Sequence, residues 1–119
     1  MPENKEYMTH QEELGTIQIS EEVVASIASA AVQEVPDVTG LLNANVSDFM
    51  GGKKMTAKGI RVEMEGDAIV VYVFITVRYG CTIGEVAKKA QNAVYQALES
   101  TTGYPVSAVN VHVGGISFN

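Results

Sequence analysis

The run KGIRVEMEGDAIVVYVFITVRYG, from Lys58 to Gly80, constrains the fold more than any other stretch. Ile60, Val62 and Met64 alternate with Arg61, Glu63 and Glu65, the period-two pattern of a half-buried strand. Gly66-Asp67 is a two-residue turn signal with glycine first, as a type II′ turn prefers. From Ala68 to Tyr79 the residues are almost all β-branched or aromatic, so the second strand is expected to be central and covered on at least one face. At about 3.4 Å per residue such a strand extends roughly 40 Å, which predicts a bend or bulge.

The flanking segments supply helices and shorter strands. Residues 1–13 are polar and aperiodic and read as a flexible tail, leaving 14–119 as one domain. Leu14 to Ser20 alternates as a short strand. Ser20 is a suitable N-cap, with Glu21 and Glu22 placed to favour the helix dipole. Val24, Ile27, Ala28, Ala31 and Val35 form the apolar stripe of the helix, and Pro36 stops it. Val38 to Leu42 reads as a further short strand with Gly40 at a bulge. Residues 43–58 form the longest irregular segment, within which Val46, Phe49 and Met50 suit one amphipathic turn. Thr82 and Glu85 have capping-box spacing, and Ile83, Val86, Ala87, Ala90, Val94, Ala97 and Leu98 form a second helical stripe. Gly103 and Pro105 end that helix, and Val106 to Val113 alternates as a last strand. The expected class is α+β: a single mixed sheet of four to five strands around a central long hairpin, with two helices packed on one face.

Charge and cysteine content narrow the function. Residues 1–52 hold one lysine against nine acids, whereas residues 53–89 hold seven bases against four acids. This segregation permits head-to-tail self-association or a local basic contact surface. A net charge of −6 is unlike that of a nucleic-acid-binding domain. One cysteine excludes an intrachain disulfide framework and fits a reducing, cytoplasmic setting. No run approaches the roughly 18 apolar residues of a membrane span, and the first residues lack the pattern of a secretory signal.

No constellation of catalytic residues emerges. Cys81 precedes a helix N-cap, where the dipole can lower a thiol pKa, but its histidine partners could only be His10 or His112. Two histidines and one cysteine show no metal-ligand spacing. Gly80 and Gly84 flank a helix start that could hold an anion, yet the segment matches neither phosphate-binding glycine motif. Lys53, Lys54 and Lys58 could contact phosphates or anionic lipid, and with Asn110 and His112 they make up the candidate interaction surface. Tyr72 and Phe74 share the parity of Val70 and read as core or interface residues. No cofactor is expected.

Together, Tyr79 to Val94 (YGCTIGEVAKKAQNAV), Thr102-Gly103 and Val106 to Phe118 (VSAVNVHVGGISF) resemble the alkaline shock protein family of Gram-positive bacteria. Gly15 to Val24 and Lys58 to Glu63 match the same pattern, so the resemblance covers residues 14–118. It implies a cytoplasmic, non-enzymatic protein of cell-envelope stress or lipid homeostasis, peripheral at the membrane through a partner. The partners it implies are a second copy, a membrane-anchored protein or a lipid-metabolism enzyme. It brings no catalytic residue. The alternative is a small thiol-dependent or anion-binding protein using the Gly80–Glu85 turn.

Overall fold

The structure, a computed structural model, describes residues 7–12 (as backbone pairing), 14–42, 59–66 and 68–118. The chain forms β1 (Tyr7–Glu12), β2 (Gly15–Ser20), α1 (Glu21–Gln33), β3 (Val38–Leu41), β4 (Ile60–Glu65), β5 (Ala68–Arg78), α2 (Ile83–Thr102) and β6 (Val106–Ser117). This is an α+β fold. The expected central hairpin is β4–β5, antiparallel from Ile60↔Val73 to Glu65↔Ala68. Gly66 turns it with φ 62°, the region that favours glycine.

β5 organises the sheet. One of its edges pairs with β4 over Ala68–Val73 and then with β3 over Ile75–Val77. The exchange of partners occurs at Phe74. Its amide donates to the Gly59 carbonyl (2.9 Å), and its carbonyl accepts from the Leu42 amide (2.9 Å). β6 runs parallel along the other edge, with register shifts at Ile69/Val70 and Ile75/Thr76 that bend the pairing as the strand length predicts. A bulge likewise separates Val38 from Gly40. The second shift lets β6 continue through Gly114-Gly115 to Ser117, four residues beyond the alternation visible in sequence.

Both helices cover one face. Ile69, Val71, Val73, Ile75 and Val77 of β5 are fully buried against Val24, Ala28 and Val32 of α1 and Val86, Ala90, Val94 and Leu98 of α2. The α1 stripe is rotated from the expected one: Ala25 and Val32 are buried, while Ile27 and Ala31 pack at the margin. Alanines at the contact let the helix lie close to β4.

The two helix starts differ. The Ser20 hydroxyl accepts from the Val23 amide at 3.3 Å, so Ser20→Ala should lower stability by about 1 kcal/mol, read from urea unfolding midpoints. Thr82 makes no such side-chain bond. Its ψ is 102°, against 161° at Ser20, and the Glu85 amide bonds to the Thr82 carbonyl (3.0 Å) rather than to its hydroxyl. The expected capping box is therefore not formed. The α2 end behaves as read, with Gly103 at φ 78° donating to the Glu99 carbonyl.

Tyr7–Glu12 is a further difference from the sequence reading of a tail. This segment pairs antiparallel with β2 across all six residues, from Tyr7↔Ser20 to Glu12↔Gly15. β1 and β2 form a separate two-stranded ribbon, not hydrogen-bonded into the main sheet. Residues 43–58 lie outside the described residues, and with them the expected loop, its amphipathic turn and Lys53, Lys54 and Lys58.

Candidate interaction surface

Strand parity assigns the open side of the sheet. Since odd-numbered β5 residues face the helices, Val70, Tyr72, Phe74 and Thr76 face away. Register aligns Ala108, Asn110 and His112 of β6 beside Val70, Tyr72 and Phe74. Arg61 and Glu63 of β4 flank Tyr72 and Val70 on the other side. Asn110 and His112 thus share one face, as the sequence reading groups them; Asn110 is exposed and His112 half-buried.

This face has an apolar seam beneath a polar fringe. Phe74 is only 3% exposed, although it lies outside the helix-covered core, and the His112 ring stands 5.4 Å from it at 51°. Leu42 reaches Gly114 across the same strand, so closely that a β carbon at position 114 would collide with Leu42 Cδ1. The fringe is made of the Arg61–Glu63 ion pair (3.5 Å) and a Thr39–Thr76 hydroxyl contact (2.9 Å). At the far end of β5, Arg78 Nε donates to Asp37 Oδ1 at 2.9 Å, holding Asp37 in a left-handed conformation with φ 74°. Beyond it, Tyr79 stacks on Phe118 with ring centroids 4.9 Å apart, both exposed.

The outer edge of β6 is the other accessible feature. Gln91 of α2 donates through Nε2 to the Val109 carbonyl at 2.9 Å, which shows that this carbonyl points away from β5. Gln91, Asn92, Tyr95 and Val106–Val109 line a hollow of about 310 Å3 between α2 and that edge. Tyr95 donates to Glu99 Oε2 at 2.8 Å, and this bond with the adjacent carboxylate charge holds the phenol above its ordinary pKa of 10. The neutral phenol is the favoured form, so the contribution of the pair is whole below pH 10 and lost as pH rises through the raised value. Glu99→Gln should bring the Tyr95 midpoint back down, followed by tyrosinate absorbance. A second, shallow hollow of about 610 Å3 lies between the helices, lined by Ala30, Ala31, Ala93 and Ala97 with Glu34 and Lys89 at its rim.

The open sheet face and the β6 edge are the main accessible features among the described residues. No polar or charged side chain is buried among the described residues. Cys81 is half-buried and packs against the helix-side core, whereas His112 is on the open face. The sheet separates them, so His112 is not the partner for Cys81; the side chain of His10, the other histidine, lies outside the described residues. Among the described residues no group of three or more His, Cys, Asp or Glu could hold a metal ion, and no helix is long and apolar enough to cross a membrane. Sequence reading missed the Gln91 contact with β6 and the Tyr79–Phe118 stack, because both depend on where β6 ends up in space.

Comparison with known proteins places the chain in a family and identifies its fold. The profile of the alkaline shock protein 23 family, described as having cell envelope-related function, matches residues 9–118. The uncharacterized protein YloU of Bacillus subtilis (strain 168) is 33% identical over 106 residues, covering 86% of this chain and 88% of that protein. The uncharacterized protein YqhY of the same organism is 30% identical over 115 residues, covering 94% and 85%. Among solved structures, the 215–293 segment of MamM CTD superposes with a TM-score of 0.51 at 19% identity, over 79% of this chain and 96% of that one. A copper form of a MamM CTD variant gives the same score and identity over 79% and 95%. At that identity the likeness is one of fold.

Proposed function

The chain belongs to the alkaline shock protein 23 family, whose function is related to the cell envelope, and from that premise we propose that it is a non-enzymatic scaffold acting by self-association and partner docking. The observation that carries this reading is the contrast between its interior and its margins. Among the described residues no charged side chain is buried, while one long edge strand and an apolar-seamed sheet face have no covering element among those same residues. Catalytic groups are commonly buried and mutually oriented, whereas the oriented pair on these surfaces, Tyr95 with Glu99, is exposed. Sheet edges and half-apolar faces, in contrast, are what proteins use to dock one another.

The expected partners are a second copy and a membrane-anchored protein or lipid-metabolism enzyme, with the protein cytoplasmic and peripheral at the membrane through that partner. Asn110 and His112 support the assignment of the open face, and the basic Lys53, Lys54 and Lys58 are proposed to extend it. The test is chemical crosslinking in intact cells followed by capture of the tagged full chain. The reading expects crosslinks to its own chain and to an envelope-associated protein. Recovery of only the uncrosslinked single chain, with turnover of a small substrate by the purified protein, would overturn it.

A further inference from the structure

Two features of the fold are each incomplete alone. Among the described residues the two six-residue strands of the β1–β2 ribbon pair only with one another, with Ile19 packed against the core, and a two-stranded ribbon without further strands is at best marginally stable in water. It also exposes apolar side chains, Leu14 fully in the turn and Ile17 by half on β2. The outer edge of β6 is the second feature. Edge strands are normally guarded by charge or proline, as β4 is by Arg61, Glu63 and Glu65. β6 carries no Lys, Arg, Asp, Glu or Pro in any of its 12 residues.

We propose that the outer edge of β6, roofed by α2, is a strand-addition site for the β1–β2 ribbon of a second copy. The inference rests on the self-association reading and names its surface. Val109 pairs with Val71 in the parallel ladder and turns its carbonyl to Gln91, so the backbone groups of Val109, Val111 and Val113 face outward by alternation. A six-residue strand, about 20 Å long, spans that stretch and the approach to it. The hollow beside Gln91, Asn92 and Tyr95 then receives a ribbon side chain such as Ile17, with the Gln91 amide yielding the Val109 carbonyl to the incoming strand.

Geometry and charge select the ribbon over a second β6. α2 packs directly on β6, so an antiparallel β6–β6 pair with both helices on one face would bring two α2 helices within about one strand spacing, roughly 5 Å. Packed helices need about 8–10 Å. The ribbon is a sheet of its own with no further strand among the described residues, so its addition brings no second α2 against the first. The sequence through and beside the ribbon is acidic, with Glu3, Glu6, Glu12, Glu13, Glu21 and Glu22 against Lys5, while the exposed Lys88 stands one helical turn before Asn92 on α2. Because the two surfaces differ, the contact is head-to-tail and propagates from copy to copy unless it closes into a ring.

The test uses full-length variants and sedimentation velocity. Gln18→Pro breaks the ribbon, and Val111→Pro removes one outward amide of β6 without touching the ladder to β5. Asn110→Lys, at an exposed position, guards the same edge should the proline variant fail to fold. Each variant alone should associate about tenfold or more weakly than the unmodified chain, because ladder bonds are lost or a charge is placed on the edge. Mixed in equal amounts, the ribbon variant and an edge variant should form a discrete one-to-one pair, since each keeps the surface the other lacks. Variants that associate like the unmodified chain, or that stay separate when mixed, would overturn the inference while leaving self-association standing. An unmodified chain that never associates would overturn both.

Discussion

Phe74→Ala is expected to cost about 3–5 kcal/mol of folding stability, measured by denaturant unfolding. That is a large share of the roughly 5–15 kcal/mol that holds a domain of this kind together. The side chain is 3% exposed, yet it belongs to the face away from both helices. Its loss would empty a site bounded by His112 at 5.4 Å and lying between Val70 and Thr76 on the same strand. It sits at the residue where β5 changes partner from β4 to β3, with the Gly59 carbonyl and Leu42 amide bonded to its backbone. Those backbone bonds survive the substitution, so the cost reports packing on the open side. A cost below about 1 kcal/mol, typical of an exposed position, would show that this side has no packed seam.

Gly59→Ala should cost about 2–5 kcal/mol, for two separable reasons. Gly59 has φ 71°, which a residue with a β carbon adopts at about 1–2 kcal/mol. The new β carbon would also lie 2.7 Å from Leu41 Cβ and 2.8 Å from the Leu42 carbonyl oxygen, and relieving such crowding costs about 1–3 kcal/mol. Gly66→Ala separates the terms. Gly66 has φ 62° but nothing within 4 Å of an added β carbon, so only the backbone term applies there. If the two variants lose equal stability, the close approach of β3, β4 and β5 at Phe74 does not constrain the fold.

The elements that were legible in the sequence are those whose signal is local. Alternation from Ile60 to Met64 and the unbroken run to Tyr79 specify the β4–β5 hairpin, and Ser20 and Gly103 mark helix ends through their own side chain or dihedral. Where a neighbour decides, the reading went astray. Thr82 has the spacing of a capping box but a ψ that hands the Glu85 amide to its carbonyl. Tyr7–Glu12 has too little alternation to announce a strand, and it is its ladder to β2 that makes it one. β6 passes the expected stop at Val113 because the shift at Gly114 restores its pairing with β5.

The candidate site was legible only in outline. Asn110 and His112 fall on one side by simple parity, so their grouping follows from the sequence. Gln91 could not be assigned to the β6 edge, since nothing in a helix pattern says which strand carbonyl an outward amide will meet. Cys81 shows the reverse: a suggestive position beside a helix start loses one of its two candidate partners once the sheet is interposed between it and His112.

The central claim is that this protein works through the surfaces it presents to a second copy and to other proteins. Static light scattering of the purified full chain, from low to high micromolar concentration, tests it most directly. The account predicts a mass that climbs with concentration well above the 12.7 kDa of one chain. A mass that stays at 12.7 kDa throughout would contradict it.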